Sequence, residues 1–191
     1  MLLLSDKFLL MARFPGFCMK HSKADDILAT TQVTKGAFYY HFKNKDEMGL
    51  AIISEILMPK LTNEFSDPLQ RSSDPLALIY DLMHHLLLKD KFMKLELGCP
   101  VSNLTQEMAP WNEAFSKALS EVTGHWEKVL TAVINSGRKS GMIREVVNPK
   151  ETALFIMSGY WGIRNFGKLR NNKSVYKAYL RGLKDYLNSL R

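Results

Sequence analysis

Val33-Thr-Lys-Gly-Ala-Phe-Tyr-Tyr-His-Phe-Lys-Asn-Lys45 carries four aromatic rings, a histidine and three lysines in thirteen residues. On a helix, Phe38 and Phe42 lie four apart and share a face. With Ile27, Leu28 and Val33 they close a miniature core. The other face then shows Lys35, Gly36, Tyr39, Tyr40 and Lys43. Gly36 adds no side chain, so the backbone of a second molecule can come close there. Dense aromatic runs usually serve packing. Here Phe38 and Phe42 suffice for packing, and Tyr39, Tyr40 and His41 cannot all turn inward as well.

The flanks supply the boundaries. Ser22-x-x-Asp25 offers an N-cap with an acid in the first turn, opening a short helix to about Thr30. Thr31 to Val33 is a brief turn. Asn44 caps a longer helix with Glu47 in the capping-box position. That helix carries Leu50, Ile53, Ile56 and Leu57 and is expected to stop or kink near Pro59. Two short helices joined by a three-residue turn form a helix-turn-helix, whose second helix reads the major groove of DNA. Tyrosine hydroxyls, lysines and helix N-termini hold phosphates. Lys45, at the start of the following helix, suits the same task.

Helical periodicity extends through the rest of the chain. Leu3, Leu4, Phe8 and Met11 mark a first helix that should end at Pro15-Gly16. After the polar linker 66–75, apolar residues return from Leu76 to Leu87, and Gly98-Cys99-Pro100 interrupts. A shorter helix runs to Met108, a long one from Trp111 to about Ser140, another from Asn148-Pro149 to Lys168, and a last one opens near Ser174. No stretch alternates long enough to make a strand. The expected class is all-α with about nine helices. A helix-turn-helix domain covers 1–50, a connecting helix reaches about 65, and a regulatory and dimerisation domain covers 66–191.

Composition narrows the function. The net charge is +7, but residues 161–191 hold eight basic residues against one acidic, while 1–50 hold seven against five. The total therefore does not point at the opening motif, and the basic end reads as a solvated face. No apolar run approaches the ~20 residues needed to span a bilayer, and the N-terminus lacks the basic lead of a signal peptide. Two cysteines, Cys18 and Cys99, are too few for a disulfide scaffold, so a cytoplasmic, reduced setting is expected. His84 and His85 are adjacent on a helix and point to different faces, and His21, His41 and His125 lack partners at ligand spacing. No phosphate-binding glycine loop, HExxH or GxSxG occurs. Neither a metal, a cofactor nor an enzymatic reaction is called for.

Val33 to Glu47 resembles the recognition helix and the start of the fourth helix of the TetR/AcrR family of transcriptional regulators, and Asp25-Asp-Ile-Leu28 resembles that family's second helix. The resemblance implies an all-α homodimer on a palindromic DNA operator, released by a small-molecule, electrophile or oxidant signal. It makes Lys35, Gly36, Ala37, Tyr39 and His41 groove or phosphate contacts and Lys45 a phosphate contact, with Thr34 and Tyr40 on the same surface. Three features depart from the family pattern. Gln32 stands where the turn usually has glycine, which costs about 1–2 kcal/mol if φ is positive there. The loop Gly16 to His21 is longer than usual. The basic arm of many relatives is missing ahead of the first helix, which should weaken non-specific DNA affinity. These departures support a rival reading, a helical ligand-binding or adaptor protein that has lost sequence-specific DNA binding.

Gly98-Cys-Pro-Val-Ser-Asn-Leu-Thr-Gln-Glu-Met-Ala109 resembles a GC-x-x-x-N-x-x-x-E segment in one subgroup of that family, which includes regulators that respond to electrophiles and hypochlorous acid through the cysteine. A thiol at a helix N-terminus is shifted toward thiolate, the form that electrophiles and oxidants attack. The resemblance makes Cys99 the candidate sensor and Lys168 its candidate partner. Free cysteine is also a common small apolar filler. A reversible small-molecule pocket is the second sensing mode, lined by Met83, Leu87, Phe92, Met93, Trp111, Phe115, Trp126, Met157, Trp161 and Phe166. The last two helices are the expected dimer seam, with Met157, Tyr160, Ile163, Tyr179, Leu183 and Tyr186 on its apolar face.

Overall fold

The computed structural model describes residues 19, 22–29, 31, 33–66 and 74–191. The expected first helix with its Pro15-Gly16 end, Cys18, His21, Gln32 and most of the 66–75 linker lie outside the described residues. Eight helices and one short 3-10 turn make up the described chain, with no strand among the described residues. By packing, the chain forms two compact units. One contains the described residues to 60 with 100–122, and the other contains 61–99 with 123–191.

In the smaller unit, α1 is Ala24–Leu28 and α2 is Lys35–His41. The cap of α1 is Lys23 rather than Ser22, because the Asp26 carboxylate accepts from the Lys23 amide at 2.8 Å. Between the helices, the Thr31 hydroxyl donates to the Leu28 carbonyl at 3.0 Å and accepts from the Val33 amide at 3.3 Å. One side chain thus closes α1 and starts the exit from the turn. Asn44 caps α3, accepting from the Glu47 amide at 2.9 Å, and the Glu47 carboxylate accepts from Lys43 N–H at 2.7 Å. This is the expected capping box displaced by one residue on its return bond.

Helix α3 does not stop at Pro59. It runs as Lys45–Ile52, widens into a π segment at Ile53–Leu57, and continues as Met58–Ser66. Proline lacks an N–H and its ring crowds the carbonyl four residues back. The wider turn, with the Met58 amide bonded to the Ile53 carbonyl, carries the chain past that obstacle without a break. Also in this unit are α5, Pro100–Met108, and the first turns of α6, Glu113–Lys139. Asn112 caps α6, accepting from the Ala114 and Phe115 amides at 3.1 and 3.3 Å. Phe115 is buried against Gly49 of α3, where an added Cβ would lie 2.7 Å from its ring.

The larger unit holds α4, which is Pro75–His84 extended by a π segment His85–Lys89, the 3-10 turn Leu95–Leu97, the rest of α6, α7 at Pro149–Arg170 and α8 at Ser174–Asn188. α8 packs on both α4 and α7. Asn148 caps α7, with Pro149 pre-set at its first position. Asn171 closes the helix in the left-handed conformation at φ 45°. Gly124 and Gly137 do not break α6. At Gly137 the missing Cβ is what lets Ile143 and Pro75 approach, since a Cβ would sit 2.6 Å from Ile143 Cδ1.

Asp74 caps α4, accepting from the Leu76 amide at 2.9 Å, and also pairs with Arg191. Burial pushes its carboxyl up, but the Arg191 bond and the Ala77 and Leu76 amides outweigh it and hold the group below its ordinary value. A depressed carboxyl stabilises fully above its unfolded pKa, about 3.9, and that contribution fades as pH falls through the lower folded value. Asp74→Ala is expected to cost about 1 kcal/mol at pH 7. Asp74→Asn keeps a capping oxygen and loses the acid-range dependence. Urea unfolding at pH 7 and pH 3 checks both.

Candidate nucleic-acid interface

The Val33–Lys45 segment divides as its spacing requires. Phe38 is fully buried and Phe42 nearly so, their rings 5.6 Å apart, with Ile27 and Leu28 of α1 buried beside them. Tyr39 is 48% exposed and Tyr40 81%. Each outward ring is braced by an edge-on neighbour, Tyr39 by Phe38 at 5.1 Å and Tyr40 by His41 at 4.9 Å. Gly36 and Ala37 are exposed, and a Cβ built on Gly36 meets nothing within 4 Å. No packing among the described residues demands glycine there.

The polar members of the set have structural duties. The Thr34 hydroxyl caps α2, accepting from the Ala37 amide at 3.2 Å. Lys35 Nζ pairs with the Asp25 carboxylate at 2.9 Å and links α2 to α1. That bond and the Asp25 charge raise the Lys35 pKa, so the ammonium stays charged on an open surface. Lys45 is turned toward the protein. Its Nζ donates to the main-chain carbonyls of Met19 at 2.5 Å and Ser22 at 2.9 Å. Asp25 was legible in the sequence as a first-turn acid, but its pairing with Lys35 was not.

The sensing residues are more dispersed. Cys99 is 3% exposed, directly before Pro100 at the start of α5. It follows Gly98, whose φ of 72° and ψ of −153° belong to a region open essentially to glycine alone. Lys168 is exposed. The cation that reaches this segment is Arg164, one turn earlier on α7, which donates to the Gly98 carbonyl at 2.5 Å. Periodicity could have found Arg164, since it falls on the inward stripe of Ile156, Tyr160 and Gly167.

Of the expected pocket residues, Met83, Leu87, Trp126 and Met157 are buried in the larger unit, with Trp126 edge-on to Tyr160 at 5.2 Å. Met93 is also buried there, and Phe92 and Trp161 are partly buried. Phe115 belongs to the smaller unit. Trp111 precedes α6 and is 71% exposed. Phe166 is exposed too, with Arg170 stacked on its ring at 5.4 Å. An open cleft of about 210 Å³ lies between α4 and α8, lined by residues that include Leu76, Tyr80, Lys184 and Arg191, and none of the expected set borders it.

Several residues of the expected dimer seam have partners within the chain. Met157, Tyr160 and Leu183 are buried within the protomer, and Tyr179 lies over Gly159 with its hydroxyl donating to the Ile156 carbonyl at 3.4 Å. The apolar residues that α7 turns outward are Leu154, Phe155, Phe166 and Leu169. α7 is apolar around most of its circumference, so periodicity fits two faces and does not choose between them.

Among the described residues no helix is long and apolar enough to cross a membrane, and no group of three His, Cys, Asp or Glu stands ready for a metal ion. Residues 21–52 match the model for bacterial regulatory proteins of the tetR family, and 76–183 match the tetracyclin repressor-like C-terminal domain. The chain is 24% identical over 166 residues to the HTH-type transcriptional repressor DhaR of Mycobacterium sp. (strain GP1), covering 83% of this chain and 78% of that protein. In fold it is similar to the regulatory protein TetR from Rhodobacter sphaeroides, with a TM-score of 0.83, 24% identity and 96% and 98% of the two chains covered. It is also similar to a TetR-family regulator from Cytophaga hutchinsonii, with a TM-score of 0.80, 18% identity and 98% and 94% covered. With both family models matched in order on an all-α chain that carries a helix-turn-helix, the protein belongs to the TetR family of DNA-binding transcriptional regulators.

Proposed function

We propose that this regulator is a cytoplasmic repressor that sits as a homodimer on a near-palindromic operator and leaves it when a signal reaches the larger unit. The observation that carries the reading is the split of α2 and its C-cap into buried Phe38 and Phe42 and an exposed face of Lys35, Gly36, Ala37, Tyr39 and Tyr40. On this reading Gly36 and Ala37 let the helix approach base edges, while Tyr39, Tyr40, His41 and Lys35 serve groove and phosphates. Thr34 acts through its cap, which fixes the N-terminus of α2. Lys45 contributes by holding the main-chain carbonyls of Met19 and Ser22, with its charge near the same edge. The outward apolar residues Leu154, Phe155, Phe166 and Leu169 suit a two-fold seam, which sets two α2 helices roughly 34–36 Å apart in successive major grooves.

Operator selection from random duplexes tests this. A palindrome should be enriched, and Tyr39→Ala should weaken its binding about 10-fold or more at low salt. Failure to enrich any sequence favours the rival adaptor reading. Signal release is proposed to act through α3, where a shift of residues 44–58 changes the separation of the two α2 helices. A coupling of about 1–3 kcal/mol alters affinity some 5–150-fold.

Two signals are in play. One is a reversible ligand among Met83, Leu87, Trp126, Met157 and Trp161. The other is covalent modification of Cys99. Intact-mass labelling at neutral pH checks this. Fast, stoichiometric modification that abolishes operator binding supports the thiol switch, and slow modification without loss of binding discards it.

A further inference from the structure

We propose that the larger unit contains an anion-binding site built on Arg164 and Tyr176, and that its ligand is a small monocarboxylate. The proposal rests on the reading that this unit receives a small-molecule signal, and it names the chemistry of that signal. Arg164 has 0% exposure. Its Nη1 donates to the Met93 carbonyl at 3.1 Å, and Nη2 donates to the carbonyls of Lys94 at 2.9 Å and Gly98 at 2.5 Å. These dipoles satisfy hydrogen bonds but leave the net charge in place. No described carboxylate pairs with the guanidinium, and its Nε–H has no acceptor. A buried, uncompensated cation is costly, and such cations are normally paired.

The neighbours are donors as well. Tyr176 is fully buried, and no group accepts from its hydroxyl. The guanidinium carbon lies 5.6 Å from its ring centroid. Burial, reinforced by the neighbouring Cys99, pushes the Tyr176 pKa up and outweighs the lowering pull of the Arg164 charge and its hydrogen bond, so the group is a neutral O–H donor at neutral pH. Trp161, one turn before Arg164 on α7, has a buried Nε1–H without an acceptor. Tyr176 is held in place by Gly167, where an added Cβ would lie 2.3 Å from its ring. Unmatched donors on Arg164, Tyr176 and Trp161, together with the positive charge of Arg164, call for an acceptor-rich anion. A carboxylate offers two oxygens with about four acceptor sites and a planar edge that matches a guanidinium. A single buried cation balances a monoanion, which argues against a phosphate dianion. The same guanidinium holds the Met93–Gly98 segment that leads to Cys99, so an anion bound on its Nε edge acts directly on that segment.

Thermal unfolding of the full chain at pH 7 tests the proposal. The probes are acetate, propionate, butyrate and benzoate, each against its own amide and against sodium chloride at equal ionic strength. At least one carboxylate should raise the midpoint by about 5–10 °C at a hundredfold excess over its Kd, and its amide should not. Tyr176→Phe keeps the ring and should lose most of that gain, as should Arg164→Met. If Arg164→Met does not fold, Tyr176→Phe carries the test. Cys99→Ser should retain the gain, because the anion comes from solution. The proposal is overturned if no carboxylate exceeds its amide, if Tyr176→Phe keeps the full gain, or if Cys99→Ser abolishes it. Operator selection by the unliganded protein reads the regulator function separately, so either idea can fail alone.

Discussion

Gly36→Ala is expected to make the free protein slightly more stable and to cost it its operator. Gly36 sits in the first turn of α2, and a Cβ there meets nothing within 4 Å. Alanine in a helix is favoured over glycine by up to about 1 kcal/mol. The melting midpoint should therefore rise by about 1–3 °C. On DNA the added methyl stands between the helix and the duplex. A lost or displaced base contact costs about 1–3 kcal/mol, and a two-fold dimer pays it at both half-sites, so affinity should fall roughly 30-fold or more. Calorimetry of the free protein and an operator titration at fixed salt give the two numbers. A variant that melts higher and binds as before would show that Gly36 does not face the duplex.

Phe38→Ala and Tyr40→Ala should differ sharply although they lie two residues apart. Phe38 has 0% exposure and Tyr40 81%. Truncating a buried phenylalanine costs about 3–5 kcal/mol through lost transfer energy and the cavity left behind. Truncating an exposed ring stays within about 0.5 kcal/mol. Hydrogen exchange of the amides in α1 and α2 reads the effect locally, while those of α7 report whether the larger unit persists. Phe38→Ala should expose the α1–α2 amides by two orders of magnitude or more. Tyr40→Ala should leave exchange unchanged and act only on DNA binding. Comparable exchange in the two variants would mean that Phe38 is not the keystone of this small core.

The helix order of the chain was legible because the boundary signals are local. Asn44 with Glu47, Asn148 with Pro149, and Gly98 before Pro100 each act within four residues. The misreadings have equally local causes. Pro59 signals a break, yet a π segment just before it absorbs the missing N–H. Ser22 has the better capping side chain, yet the Asp26 carboxylate places the cap at Lys23.

The α2 surface was legible for a different reason. Phe38 on the seven-residue helix and Phe42 at its C-cap both turn inward, and the remaining rings have nowhere else to go. The larger unit offered no such constraint. Met83, Trp126 and Phe166 are all large and apolar, but the first two are buried and Phe166 is 51% exposed. Apolar character alone does not say which neighbours a side chain meets.

By itself the sequence determined the helical class, the helix-turn-helix and the outward tyrosine–glycine surface, because periodicity and capping act over a few residues and the hydrophobic effect then selects the inward face. Only the tertiary structure decided that Lys45 turns to the protein backbone, that Phe115 packs on Gly49, and that Arg164 rather than Lys168 reaches the Gly98–Cys99 segment. Those outcomes depend on partners 26 to 71 residues away. Contacts across such separations follow from how whole helices dock, which no local pattern encodes.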